Sequence, residues 1–306
     1  MGNPWITRRV LNYAHQGGAR EAPSSTIHAL RQARASGADA FELDVHATAD
    51  GELVVCHDPT VDRTTQACGA IASLTLAEVQ ALDNAHWWVP GEVVRPGQPD
   101  RDYPLRGRAP ADTSLRVATL REVLVEFPDV PLNLDIKQTA PTVEPYEAAL
   151  ADLLREHGRH DDVIVASFLD GATDAFSAAA PEIPTSYGTL ATIEFWRAAH
   201  DGVEPAPSRH VALQVPLELH GQTVVDACLV EAAHARGIAV HVWTIDEADD
   251  MDRLVELGVD GIMTDRPSVL TGVLTERGAR WQGARTPSRG RPPPLTAGTA
   301  DNRRHP

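Results

Sequence analysis

Two carboxylates spaced two residues apart, Glu42 and Asp44, with His57 one short hairpin later, are the residues of this chain best suited to chemistry. Phe41, Leu43 and Val45 alternate with Glu42, Asp44 and His46, which is the period of a strand. Residues two apart on a strand share a face, so Glu42 and Asp44 project together. Two carboxylates so placed repel unless a cation or a proton lies between them. Asp50-Gly51 predicts a two-residue type I′ turn, which pairs Ala49 with Glu52 and sets Asp44 opposite His57. Two acids and an imidazole in one small volume suit a hard metal ion beside a general acid or base. His46 shares the Glu42/Asp44 face and is expected just beyond the strand end.

Further reactive residues fall where other strands end. Val10 to Ala14 reads as a strand running into His15-Gln16-Gly17-Gly18, a histidine followed by glycines that allow close backbone approach. Pro131 to Lys137 is a strand with Asp135 and Lys137 on one face, either a third metal ligand beside a phosphate-binding cation or a plain salt-bridged pair. Ile238 to Thr244 is a strand on which His241 and Trp243 share a face.

The elements that must position these residues alternate regularly. Ser24-Ser25-Thr26 offers N-caps for a helix to about Ser36, with Ile27, Leu30, Ala33 and Arg34 on one face and Gly37 as its stop. Short helices are expected from Thr75 to Leu82 and from Thr119 to Phe127, and longer ones at 142–157, 170–179, 192–200, 223–236 and 246–257. Strands at 10, 40, 131, 163, 185, 211, 238 and 260 count to eight. That pattern is α/β, a (β/α)₈ TIM barrel with a hairpin extension at 44–57 and a long insertion at 84–114 after strand two. His15, Glu42, Asp44, Asp135 and Trp243 then sit at the C-terminal ends of different strands, where barrel enzymes place their chemistry. The domain is expected to span 1–280. In the insertion, Trp87 and Trp88 either form an apolar lip over the pocket or pack the loop onto the domain. From 281 to 306 the chain is rich in Pro, Arg, Gly and Thr without periodicity and reads as a disordered tail.

Composition narrows the function classes. The 306-residue chain has 23% charged and 42% hydrophobic residues, ordinary for a globular protein. Its formal charge of −16 argues against nucleic acid as a partner, since phosphates are repelled without a concentrated basic face on the protein, and requires a local cation to hold any anionic substrate. Cys56, Cys68 and Cys228 form no Cys-x-x-Cys pair, so neither a disulfide framework nor a zinc knuckle is supported. The opening residues lack an apolar signal core, and no run approaches about 18 apolar residues. The expectation is a reduced, cytoplasmic protein without stable membrane insertion.

Ala14-His15-Gln-Gly, Ser-Ser-Thr26, Glu42-Leu-Asp44-Val, Thr48-Ala-Asp-Gly51, His57-Asp58, Arg63-Thr64-Thr65, Asp135-Ile-Lys137, Trp243-Thr244 and Gly261-Ile-Met-Thr-Asp265-Arg-Pro267 occur in order. Together they resemble the glycerophosphodiester phosphodiesterase family across residues 14–267. The resemblance implies a (β/α)₈ barrel that hydrolyses small-molecule glycerophosphodiesters to glycerol 3-phosphate and an alcohol, with Mg²⁺ or Ca²⁺ as cofactor. It implies that His15 and His57 are the acid/base pair, that Glu42, Asp44 and Asp135 hold the metal, and that Lys137, with Gln16 and Trp243, meets the substrate. His15 is favoured as base and His57 as acid. The chain departs from the family in having Gln16 for the usual Arg, Ser24-Ser25 for Glu-Asn, and Asp135 where Glu is frequent. Asp135-Ile-Lys137 is also similar to the sphingomyelinase D-type phospholipases, which keeps lysophospholipids open as substrates, and Gln16 would fit a non-catalytic binding protein. Trp87 and Trp88 are the one apolar surface expected near the site for an acyl chain, but soluble glycerophosphodiesters rank first, because the acidic charge and the lack of an amphipathic basic helix argue against work on an anionic membrane surface.

Overall fold

The computed structural model describes residues 3–6 and 9–280; the expected tail at 281–306 lies outside the described residues. In chain order the strands are β1 (Leu11–His15), β2 (Ala40–Ala47), β3 (Leu53–Val55), β4 (Leu132–Ile136), β5 (Val163–Ala166), β6 (Ala212–Pro216), β7 (Glu218–Leu219), β8 (Gln222–Thr223), β9 (Ala239–Trp243) and β10 (Gly261–Thr264). The helices are α1 (Ile27–Ser36), α2 (Leu76–Gln80), α3 (Leu120–Glu126), α4 (Glu147–Glu156), α5 (Asp170–Ala179), α6 (Thr189–His200), α7 (Ala227–Ala235), α8 (Ala248–Leu257) and α9 (Pro267–Glu276). Seven strands pair in parallel in the order β5-β4-β2-β1-β10-β9-β6, a curled α/β sheet wrapped by helices.

Residues 184–187 span the remaining gap between β5 and β6. Val165 donates to the Pro184 carbonyl and receives from Ser186, while on the other side Val211 donates to Thr185 and Tyr187 to Ala212. The full strand expected at 185 is therefore reduced to isolated parallel bridges. Pro184 has no N–H to extend the ladder, and α6 opens two residues after Tyr187. Two helices are also shorter than expected: α4 begins at Glu147, after Pro141 and Pro145, and α7 begins at Ala227 because 222–223 belong to a hairpin.

Local chemistry accounts for the well-placed elements. Thr26, extended at φ −117° and ψ 150°, accepts from the Ala29 N–H and starts α1, while Gly37 at φ 102° ends it. Ile27, Leu30 and Ala33 are buried as expected, but Arg34 is exposed and donates to the Ala38 carbonyl. Two apolar clusters lie between helices and sheet, one around Phe41, Leu132 and Phe176, the other around Leu213, Val240 and Ile262. A third gathers Leu11, Tyr13, Ala40, Ile164, Ala239 and Met263, one residue face of the strands, inside the curl of the sheet. By the two-residue period, Glu42 and Asp44 continue the Ala40 face, and His15 continues that of Leu11 and Tyr13. The inner face is thus apolar at the strands' N-terminal ends and polar at their C-terminal ends.

The hairpin between β2 and β3 is one residue out of the expected register. Val45 pairs with Val55, and the Cys56 N–H donates to the Asp44 carbonyl, so Cys56 rather than His57 faces Asp44. Thr48 donates to Glu52, Gly51 donates to Thr48, and only Gly51 (φ 82°) in the loop has a positive φ. Residues 49–51 therefore form a three-residue loop closed by a left-handed glycine instead of a type I′ turn. His46 lies within β2, buried, with its Nε2 3.4 Å from the His57 carbonyl, not beyond the strand end. A Cβ on Gly51 would meet nothing within 4 Å, so substitution there probes backbone strain alone. Gly51→Ala should cost about 1 kcal/mol in urea unfolding and Gly51→Asn clearly less; equal losses would contradict this loop geometry.

Candidate active site

His15, Glu42, Asp44, His57, Asp135, Lys137 and Trp243 all line one cavity of about 720 Å³ at the C-terminal ends of the strands. Register explains much of this. His15 pairs with Glu42 across β1 and β2, and Asp44 pairs with Asp135 across β2 and β4. His57 arrives from the segment after β3. The two imidazole rings lie edge to face, with centroids 6.3 Å apart. Gln16, expected at the substrate, is buried off the cavity wall in a left-handed conformation (φ 52°), its Nε2 3.3 Å from His15 Nε2.

Each histidine carries a carboxylate on its Nδ1. His15 Nδ1 donates to Asp265 at 2.7 Å, and His57 Nδ1 donates to Asp58 at 2.6 Å. Both pairs hold one ring tautomer and leave Nε2 as the nitrogen that can exchange a proton, with the Gln16 amide beside it at His15. The pairs differ in what stands behind them. The other Asp58 oxygen accepts from Arg63 Nε at 2.6 Å, and the His57 and Arg63 hydrogen bonds outweigh desolvation to hold the Asp58 carboxyl well below its usual range. Asp265 has a carboxylate neighbour instead: Asp246 accepts from the Asp265 N–H, while Arg20 lies 3.5 Å from Asp246. Asp58 and Asp265 were visible only as members of motifs; nothing in spacing alone marked them as histidine partners.

Two of the three buried carboxylates share one ammonium. Lys137 Nζ lies 3.2 Å from Asp44 Oδ1 and 3.2 Å from Asp135 Oδ2. Burial, then Asp44, push the Glu42 carboxyl up; burial also raises Asp135, against the pull of Lys137. Asp44 Oδ2 and Asp135 Oδ1 are buried with no hydrogen-bond partner. Among the described residues, no three His, Cys, Asp or Glu side chains already converge as a closed metal cage. The donor set nevertheless fits a hard cation: all-oxygen, negatively charged in excess of its lysine, and with two orphaned oxygens.

Of the two readings of Trp87 and Trp88, the packing of the loop onto the domain is the one found. Trp87 Nε1 donates to the Thr65 carbonyl, Trp88 Nε1 to the Ala19 carbonyl, and the Arg106 guanidinium lies over both Trp87 and Tyr103. Neither indole reaches the cavity, because each spends its one donor and its apolar faces on tying the 84–114 segment to the domain. The apolar wall comes instead from Phe168, Ile193, Trp196, Leu219 and Val224, contributed by the loop after β5, by α6 and by the β7–β8 hairpin. That hairpin was missed in the sequence. Its signal was His220-Gly221, both at positive φ (51° and 78°), which is the type I′ pair.

The electrostatics of His15 have a measurable consequence. Burial alone lowers its pKa, but the Asp265 hydrogen bond and the charges of Glu42, Asp265 and Asp44 prevail and raise it to about 9. The folded state then keeps a proton that the unfolded chain releases near its ordinary value of 6.5. The resulting stability is full below about 6.5 and is lost as pH rises through about 9. In metal-free protein, an NMR titration of His15 should give that raised midpoint, and Asp265→Asn should bring it down. An unchanged midpoint in the variant would show that Asp265 is not the controlling partner.

The chain matches the glycerophosphoryl diester phosphodiesterase family over residues 15–269. It is similar to a glycerophosphodiester phosphodiesterase of Caldanaerobacter subterraneus subsp. tengcongensis, 31% identical over 88% of this chain and 100% of that protein. Among solved structures it resembles the glycerophosphoryl diester phosphodiesterase domain of a Mycobacterium tuberculosis protein, with TM-score 0.71, 20% identity, and coverage of 88% of this chain and 99% of that one. It also resembles an Oleispira antarctica phosphodiesterase in complex with the product sn-glycerol-3-phosphate, with TM-score 0.61, 23% identity, and coverage of 86% and 96%. With most of its length matched, this chain belongs to the glycerophosphoryl diester phosphodiesterase family.

Proposed function

We propose that the chain hydrolyses glycerophosphodiesters to glycerol 3-phosphate and an alcohol, with His15 and His57 as proton carriers. The observation that carries this reading is the pair of carboxylate-anchored imidazoles beside a single cluster of three acids and a lysine. A phosphodiester is anionic and repels nucleophiles, so charge neutralisation must precede attack. Lys137 supplies one positive charge at the cluster. Glu42, Asp44 and Asp135 would hold a Mg²⁺ or Ca²⁺ ion, which when bound offsets negative charge developing on the phosphoryl oxygens. One imidazole takes the proton of the attacking hydroxyl through Nε2, and the other returns a proton to the departing alcohol oxygen. Asp265 and Asp58 keep the rings oriented, and each transfer is worth about 10²–10⁴-fold. Trp243, on the cavity wall with its ring against Phe168, bounds the space for the organic part of the substrate.

Two measurements test the proposal. With glycerophosphocholine and a coupled assay for glycerol 3-phosphate, His15→Ala and His57→Ala should each lower kcat at least about 10²-fold while circular dichroism stays native. No turnover by the wild-type protein on any glycerophosphodiester would leave the non-catalytic binding protein. Exhaustive dialysis against EDTA should abolish turnover and Mg²⁺, Ca²⁺ or Mn²⁺ should restore it; full activity after dialysis would rule out the metal.

A further inference from the structure

The charged residues that line the cavity fall into two groups. Glu42, Asp44, Asp135 and Lys137 stand together at the strand ends, and Arg197 stands apart on α6. Phe168 joins the two places, since its ring lies 5.6 Å from Lys137 Nζ and its carbonyl accepts from the Thr189 N–H at the start of α6. From there one face of α6 lines the cavity through Thr192 and Ile193 to Trp196 and Arg197. The helix rises about 12 Å between Thr189 and Arg197. The Trp196 indole donates to the Val224 carbonyl, which fixes this turn of α6 against the segment after the β7–β8 hairpin.

The Arg197 guanidinium is unspent. Arginines carried by the loops after β1, β3 and β10 are all held: Arg20 lies against Asp246, Arg63 against Asp58, and Arg266 donates to the Asp246 carbonyl. Glu194 and Asp201 stand three residues before and four after Arg197, spacings at which a helix pairs opposite charges. Among the described residues the Arg197 guanidinium nevertheless meets no carboxylate within 4 Å and no hydrogen-bond acceptor. In a chain with a formal charge of −16, such a fork on a cavity wall is a place for an anion. The Thr192 hydroxyl and the His220 imidazole belong to the same lining and are further donors. A second negative charge on a substrate finds no such place at the strand ends, where three acids outnumber Lys137.

Resting on the phosphodiesterase reading above, we infer that Arg197 is the specificity-determining residue of a second anion subsite, which selects glycerophosphodiesters whose leaving alcohol carries a further phosphate. The scissile diester lies between the histidines and Lys137, the alcohol runs along Phe168 and α6, and its own phosphate meets the Arg197 fork. The reaction is unchanged by this. A water oxygen adds to phosphorus, the bond from phosphorus to the alcohol oxygen breaks, and the alcohol departs with a proton, its phosphate ester intact. A guanidinium accepts a phosphate monoester and a phosphodiester alike, so either form of second phosphate fits the subsite.

The test uses two substrate pairs. Glycerophosphoinositol and glycerophosphoinositol 4-phosphate differ by a monoester; glycerophosphoglycerol and 1,3-bis(glycerophospho)glycerol differ by a second diester. On the wild-type protein kcat/KM should be at least about fivefold higher for the more phosphorylated member of one pair or both, and the pair that responds identifies the form bound. Arg197→Gln should bring that ratio to about one, and Arg197→Lys should keep part of it, because the charge remains and the fork is lost. Ratios near one in the wild-type protein, or a preference that Arg197→Gln leaves in place, overturn the inference, while turnover of the less phosphorylated members keeps the phosphodiesterase reading. Binding decides the matter without turnover. In the His15→Ala variant, calorimetric titration should give a Kd at least about fivefold lower for the more phosphorylated member, and adding Arg197→Gln should remove the difference. Equal affinities within both pairs overturn the inference whatever the activity.

Discussion

The structure depends on keeping Glu42, Asp44 and Asp135 together in a buried place, with Lys137 beside two of them and the His15 imidazole 3.7 Å from the third. Lys137 bridges Asp44 and Asp135, and two carboxylate oxygens remain orphaned. Such a cluster is costly, since buried like charges repel and each ion loses its hydration. A rigid frame is needed to hold it, and parallel pairing on both sides of β2 supplies one. The Asp44–Asp135 and His15–Glu42 registers are set by backbone hydrogen bonds that the side chains cannot relax. The cost is concentrated where the cluster can act on an anionic substrate.

The same frame separates packing from chemistry along each strand. Leu11, Tyr13, Ala40 and Ala239 fill the inner face at the strands' starts, and His15, Glu42, Asp44 and Trp243 occupy it at their ends. His241 lies between these regimes, fully buried, neither ring nitrogen partnered, and burial holds its pKa down at about 3. It remains a neutral ring packed against Trp5 and Tyr13 rather than a third acid or base. Loops then differentiate the rim. The segment after β3 brings His57 with its Asp58 and Arg63, while the segments after β5 and β6 bring apolar surface.

Much of this was legible in the amino-acid sequence because it rests on local rules. Period-2 alternation located β2 and put Glu42 and Asp44 on one face; Thr26 and Gly37 bounded α1; and the alternation of strand and helix patterns named the α/β class. The lineup of reactive residues at strand ends followed, since parallel strands linked by helices all point the same way.

What the sequence could not decide were choices between locally equivalent options, settled by contacts far along the chain. Asp50-Gly51 and His220-Gly221 are both turn pairs, yet only the second adopts positive φ at both residues. At the first, Ala49 also bonds to the Leu74 carbonyl and Asp50 accepts from Leu76, contacts that accompany a three-residue loop and a register one residue away from the expected one. Trp87 and Trp88 have the same composition whether they face a pocket or a loop; Thr65 and Ala19, some 22 and 69 residues away, supply the carbonyls that hold them in the loop. Asp265 meets His15 across 250 residues because β10 lies beside β1. Residue types and local periodicity determined which groups this protein has and which face of a strand each occupies. Tertiary packing alone determined which of them touch, because hydrogen-bond partners and apolar walls are shared between segments that no local pattern connects.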